Sequence, residues 1–189
     1  MNKAFSHFKT ITKHRHEVIR NCKKAGIFWQ GLFHDLSKYS PTEFLQGAKY
    51  YQGTRSPNDK AREELGYSKA WMHHMGRNKH HFEYWHDYSP VHRGMMTPVK
   101  MPLNYVVEMF CDRVAASKIY QGKDYTDASA YEYFMRAKEK RVGRIHEETS
   151  DTLEEFLYML KTQGEEKTFA YIRKRIKEFK NDKKRNAHR

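Results

Sequence analysis

Apolar positions recur at helical spacing along nearly the whole chain, and no hairpin dipeptide sits between alternating runs. Ile11, Val18, Cys22 and Ala25 fall on one stripe at about 100° per residue, which predicts a helix over 8–25 ending near Gly26. A second helix is predicted from Ile27 to about Ser37. Ser40, Pro41 and Glu43 then give a start signal: a cap, a proline at the first position and a carboxylate three residues after the cap. Residues 52–66 hold two glycines, a proline and many charges, and read as a surface loop. Helix resumes around Tyr67, is interrupted near Gly76 and resumes through His80–Trp85. Pro90, Gly94, Pro98 and Pro102 make 88–102 a long irregular segment, of the kind that often covers a site. Pro102 opens a helix to about Tyr120. From roughly Ala128 two or three amphipathic helices follow, with Leu153, Phe156, Leu157, Leu160, Tyr171, Ile172 and Ile176 as core candidates. The sequence holds no internal repeat, Gly-rich phosphate loop, GxSxG element or parallel-sheet pattern. The reading is an all-α, single-domain helical bundle.

At 189 residues the chain suits one domain with a sizeable core. Its expected parts are a metal-binding helical core over 1–125, C-terminal helices over 126–180 packing on the same domain, and a basic tail over 181–189. The net charge of +13 predicts attraction to anions: phosphorylated metabolites, nucleotides or nucleic acid. Much of that charge is spread over helix faces, and the run Lys177–Arg189, with six of the lysines and arginines, reads as a solvated, frayed tail. Cys22 and Cys111 lie in helical segments without a CxxC element, so reduced, packed thiols in a cytoplasmic protein are expected. Mean hydropathy is −1.00, and no stretch approaches the ~18 apolar residues of a membrane span.

The candidate chemistry lies in the histidines. Six of the twelve fall between positions 73 and 92, and His34-Asp35 stands upstream of them. Imidazoles and carboxylates at helical spacing suit one or two transition-metal ions with open positions for water and substrate. In the first helix His14 lies at the edge of the apolar stripe. His16 is about 200° away on the side of Arg20 and Lys23, so His14 faces inward and His16 outward. His7 and His16 read as surface residues. His34, Asp35 and Lys38 reach one region from a single turn. An aspartate among Ile27, Phe28, Trp29, Leu32, Phe33 and Leu36 needs a partner, either a metal or the Lys38 ammonium. His74 and His81 are two turns apart, His80 adjoins His81, and Arg77 and Asn78 between them offer donors for a phosphate or carboxylate. Asp112 shares a stripe with Tyr105, Met109, Ala116 and Ile119, and is either a metal ligand or an ion-pair partner of Arg77 or Arg113.

Taken in order, His14, His34-Asp35, His74, His80-His81 and Asp112 resemble the H…HD…H…HH…D signature of the HD superfamily of metal-dependent phosphohydrolases. HDLSK resembles that family's HDxxK element, with Lys38 as its lysine. The chain is also similar, over about residues 10–120, to a small uncharacterised family within or near that superfamily. Its marks here are His14 with Val18, GLFHDLSK, RNKHH followed by Phe82, Tyr84 and Trp85, and Glu108–Asp112. The resemblance implies one ion held by His14, His34, Asp35 and Asp112. It implies a second that shares Asp35 and takes His74, His80 and His81, the metals being manganese, iron, nickel or zinc. A hydroxide between the ions would be the nucleophile. Lys38, Arg77 and Asn78 would meet the substrate's oxygens, and carboxylates such as Glu83 or Glu108 would orient the imidazoles.

The leading functional expectation is therefore hydrolysis of a phosphate monoester or diester, with a phosphorylated small molecule or nucleotide as substrate. A di-iron oxygenase, which some HD proteins are, uses the same residue set. A non-enzymatic nucleic-acid-binding module is the third class, favoured by charge and aromatic content but lacking a recognisable binding signature.

Overall fold

A computed structural model describes residues 2–138 and 142–187 of the chain. Helix α1 (Lys3–Ala25) starts at Asn2, whose side chain accepts from the Ala4 N–H at 2.9 Å. It therefore begins a turn earlier than its apolar stripe predicts. Gly26, at φ 84°, ends it by returning its N–H to the Cys22 and Lys23 carbonyls.

The second predicted helix is cut short. Helix α2 spans only Phe28–Leu32, and the chain then turns through Asp35 at φ 54° into a 3₁₀ turn, Leu36–Tyr39. Asp35 is the one non-glycine residue with positive φ among those described. Arg15 of α1 holds the break, its guanidinium donating to the Leu32 and His34 carbonyls left open by the short helix. As a result Trp29, Phe33 and Leu36 are exposed rather than packed around Asp35.

Helix α3 (Pro41–Lys49) begins at the expected Ser40–Pro41 signal, but Glu43 does not complete a capping box. The expected loop over 52–66 contains a helix, α4 (Pro57–Leu65). Ser56 caps it, Pro57 occupies its first turn, Gly66 ends it at φ 79°, and Lys60 pairs with Glu64 at 3.2 Å. Helix α5 (Lys69–Met75) is capped by Ser68. The expected helix over 80–85 is only a 3₁₀ turn, Phe82–Tyr84. β1 (His86–Tyr88), which only reaches into the segment expected to be irregular, pairs antiparallel with β2 (Met96–Pro98) inside it, with Asp87 opposite Thr97.

Helix α6 (Leu103–Gln121) is the central element. Val106 to Cys111 are buried without interruption, more than a full turn, as befits a helix packed on several sides. It packs on α1 and on α8 (Glu147–Ala187), and α7 (Ser129–Lys138) closes against α6 and α8. Gly164, at φ 78° and ψ 173°, breaks α8 into two arms. The core joins Val18 and Cys22, Val107, Phe110 and Val114, Phe134, and the expected Leu153, Phe156, Leu157, Leu160, Ile172 and Ile176. Tyr171 packs half-buried against it. Cys22 and Cys111 are free and buried within this core.

The basic run at the end is helix to Ala187, not a frayed tail; residues 188–189 lie outside those described. Its base is anchored where Arg173 and Lys180 donate to the Lys24 and Gly26 carbonyls at the end of α1, both at 2.9 Å. No helix among the described residues is long and apolar enough to cross a membrane.

Candidate metal centre

Five segments converge on the side of α6 away from α8's core contacts. Helix α1 brings His14; the break after α2 brings His34, Asp35 and Lys38. Helix α5 brings His74, the loop beyond it His80 and His81, and α6 brings Glu108 and Asp112, one turn apart on one face. His34, Asp35 and His80 are each 1% exposed, so this is an interior cluster of titratable groups.

Two sets of donor atoms within it share Asp35, and a third joins His34, His80 and Glu108. His14, His34, Asp35 and Asp112 form one group and Asp35, His74, His80 and His81 the other, the ligand atoms of each lying within 4.8 Å of one another. In the first, His14 Nε2 is 2.9 Å and His34 Nε2 3.5 Å from Asp112 Oδ1, and His34 Nε2 is 3.2 Å from Asp35 Oδ2. In the second, Asp35 Oδ1 lies 3.3 Å from His74 Nε2 and 3.5 Å from His80 Nε2, and the Nε2 atoms of His74 and His81 are 3.0 Å apart. Ligands bonded at about 2.1 Å to one tetrahedral or octahedral ion sit roughly 3.0–3.4 Å apart. The spacing of both groups fits that requirement, and each oxygen of Asp35 serves a different group.

The far nitrogens are held from behind. Glu108 Oε1 accepts from His34 Nδ1 at 2.9 Å and lies 3.3 Å from His80 Nδ1, while its Oε2 accepts from Gln30. Glu43 Oε2 accepts from His74 Nδ1 at 2.8 Å and its Oε1 from His73 Nδ1 at 2.6 Å. A carboxylate behind an imidazole fixes the ring and its tautomer, leaving Nε2 free to ligate.

The polar atoms at the centre have charged neighbours but no hydrogen bonds. Asp35 Oδ1 and Oδ2, His34 Nε2 and His80 Nε2 are buried and accept or donate no hydrogen bond. Lys38 Nζ lies 2.6 Å from Asp35 Oδ2, an ion pair that lacks hydrogen-bond alignment. The Asp35–Lys38 pairing is thus present, yet it does not satisfy the carboxylate. Four unsatisfied polar atoms facing one another in an interior are costly. A cation bound among them removes that cost, so the residues fit a metal.

The same contacts set the charges of the cluster. Burial alone would raise the pKa of Asp35, but His34, Lys38 and His74 outweigh it and hold the acid well below the usual range. Burial is likewise overcome at Asp112 by His14 and His34, and at Glu108, held near about 2 by His34 and His80. Burial disfavours a charged His34, yet Asp35, Asp112 and Glu108 raise its pKa well above the ordinary value. Burial, with His80 and His74 nearby, lowers His81 well below it, leaving a neutral imidazole able to ligate.

A cavity of about 550 Å³ opens beside the cluster. His14, His74, His81, Asp112 and Lys38 are among its walls, and so are Arg55, Arg62 and Arg113.

Not every residue singled out in the sequence arrives here. Arg77 is exposed, donates to the His73 carbonyl at 3.3 Å, is not among the residues that line the cavity and makes no ion pair with Asp112. Asn78 is buried and braces the cluster, donating to Ser37 Oγ at 2.9 Å and the His74 carbonyl at 2.8 Å. Glu83 orients no imidazole; its buried Oε2 has no partner. His16 is exposed as expected, but His7 is buried, 6% exposed, against expectation. It extends the α1 stripe one turn further toward the N-terminus. Glu43 and Gln30 gave no signal of their role, since a helix-start carboxylate and a short polar side chain have ordinary local explanations.

An all-α domain with a buried histidine–carboxylate centre able to hold metal is thus the class that fold and site define. The chain belongs to a family of unknown function, DUF5662, which it matches over residues 3–159, from α1 into the first arm of α8. Neither the curated proteins nor the solved structures gave a match.

Proposed function

We propose that this protein is a metal-dependent phosphohydrolase of the HD type, acting on a phosphorylated small molecule of nucleotide size. The observation that carries the reading is the set of buried, unsatisfied ligand atoms on Asp35, His34 and His80, flanked by two donor groups that share one carboxylate. Two ions, when bound, supply Lewis acidity toward a phosphoryl oxygen and lower the pKa of water.

The chain's own residues do the rest. Glu108 and Glu43 keep the imidazoles in one orientation, so no reorganisation is needed as substrate enters. Lys38 is held charged by Asp35 and Asp112 despite burial, and lines the cavity where a substrate anion would lie. Arg113 also lines the cavity, as do Arg55 and Arg62, which pair with Glu63 and Asp59, and the net charge of +13 steers anions toward the protein. A cavity of about 550 Å³ is within the size range of small-molecule sites.

The test is elemental analysis of gently purified protein followed by turnover assays on nucleoside phosphates, cyclic dinucleotides and aryl phosphates with added Mn²⁺. Two ions per chain and phosphate release support the reading. Two irons with a mixed-valent EPR signal and O₂ consumption, without phosphate release, would replace it with the oxygenase.

A further inference from the structure

His7, Thr10, Ile11 and His14 all line the cavity, and their spacing puts them on one face of α1. Seven helical residues rise about 10 Å, so the cavity follows α1 from the metal centre at His14 to His7 two turns away. His7 is 6% exposed, yet it makes no hydrogen bond among the described residues, and its Nδ1 is fully enclosed without a partner. A buried imidazole with no partner calls for an explanation.

The surroundings keep room for this ring. Gly47 of α3 faces it, and a Cβ there would stand 2.3 Å from His7 Nε2. Phe44 and Tyr51 flank it, with ring centroids 5.5 and 5.7 Å away. Thr10 Oγ1 donates to the Ser6 carbonyl at 3.0 Å and so accepts from Tyr51 OH at 2.8 Å. The Tyr51 oxygen is left able to accept a further bond. Burial, helped by Lys38, lowers the His7 pKa to about 4, so the imidazole is neutral at neutral pH. With Nδ1 enclosed, only Nε2 can meet a ligand, and a neutral ring there, beside a hydroxyl acceptor, suits an uncharged polar group better than a second phosphate.

We propose that His7 and the Thr10–Tyr51 hydroxyl pair form a recognition subsite for the neutral, hydrogen-bonding end of the substrate, about 10 Å from its phosphate. The assignment rests on the phosphohydrolase reading for what binds at the other end. Its ligand is the hydroxyl-, amide- or ring N–H-bearing end of a phosphorylated organic molecule, from a sugar or a heterocycle.

Calorimetric titration of the full-length, Mn²⁺-loaded protein tests it, with inorganic phosphate, ribose 5-phosphate and uridine 5′-monophosphate as probes, and ribose and uridine alongside. At least one ester should bind about tenfold tighter than phosphate, the factor one or two hydrogen bonds supply. The preferred ester names sugar or heterocycle. His7→Phe should erase that advantage and leave phosphate binding unchanged. Tyr51→Phe, which keeps the ring, should cost the ester about threefold to tenfold.

The subsite is overturned if ester affinity survives His7→Phe, if phosphate affinity falls in step with it, or if neither ester exceeds phosphate. Failure of phosphate to bind the wild type would sink the hydrolase reading instead. Ribose and uridine then decide: binding abolished by His7→Phe keeps the subsite, and no binding ends it.

Discussion

Glu108 is the residue through which the two donor groups that share Asp35 are mechanically joined. One oxygen, Oε1, faces both His34 and His80 at 2.9 and 3.3 Å, and these rings belong to different donor groups. The other oxygen accepts from Gln30, which in turn accepts from Asn104 Nδ2 at 2.8 Å. In Glu108→Gln the amide oxygen can still face the imidazoles, but the charge is gone and the new NH₂ opposes the Gln30 NH₂. Turning Gln30 around only passes that clash to Asn104. A carboxylate behind a ligating imidazole is worth about 10–100-fold in metal affinity, roughly 1.4–2.7 kcal/mol. Here one substitution should weaken both ions by that factor. Glu43→Gln is the internal control, because Glu43 supports only His74 among the ligands and should weaken the second ion alone. Mn²⁺ titration of chelator-stripped protein, followed by calorimetry, separates the outcomes, with apo-protein melting curves as the folding check. If Glu108→Gln weakens a single ion, or if Glu43→Gln weakens both, the coupling argued from these distances is wrong.

Asp35→Ala should abolish binding of both ions, whereas His16→Ala should leave Mn²⁺ stoichiometry intact; retention in the first or loss in the second reverses the ligand assignment. For His7 the folded pKa, about 4, lies below the unfolded value of 6.5. The unfolded chain therefore takes up the proton first, and this contribution to stability is complete above pH 6.5 and lost as pH falls toward 4. Relative to His7→Phe, wild type should lose about 2 kcal/mol between pH 7 and pH 5 in chemical denaturation, and parallel pH profiles would contradict the burial argument. Gly164→Ala forces a side chain into a φ/ψ region that glycine alone tolerates, so thermal melts should show about 1–3 kcal/mol of destabilisation; an unchanged midpoint would mean the break in α8 relaxes freely.

What the sequence disclosed depended on whether one periodic signal dominated. The α1 stripe is clean, so helical phase separated His14 from His16, and the α8 core positions followed the same logic. Asp35 is the opposite case. Its apolar neighbours read as one helix, but the chain breaks there, because Arg15 can satisfy the carbonyls that a short α2 leaves open. No local pattern announces a partner that lies 17–19 residues upstream. Helix α4 was hidden by its charge density, although Ser56–Pro57 and Gly66 are start and stop signals of the same kind as Ser40–Pro41 and Gly26. The β1–β2 pair lacks a two-residue turn, the feature by which a hairpin is readable from sequence. His7 needed only one more turn of the α1 stripe, since it lies four residues before Ile11.

The arrangement also explains how such an expensive cluster of buried charge coexists with a stable domain. Helix α6 presents Val107, Phe110 and Val114 to the core and Glu108 and Asp112 to the polar cluster. The core side, closed by α1, α7 and α8, positions α6 without help from the centre. The polar side can then keep Asp35, His34 and His80 unsatisfied at a cost of several kcal/mol, because hydrophobic burial on the opposite face holds the backbone in place. Asp35 itself, in the left-handed region, adds about 1 kcal/mol of strain that aspartate tolerates better than most residues. Polar dissatisfaction and backbone strain thus coincide at the one side chain common to both donor groups. A fold selected for stability alone could shed the strain and the buried carboxylate with a single substitution at position 35, and their persistence at the shared position is a physical argument that the cluster can hold a cation.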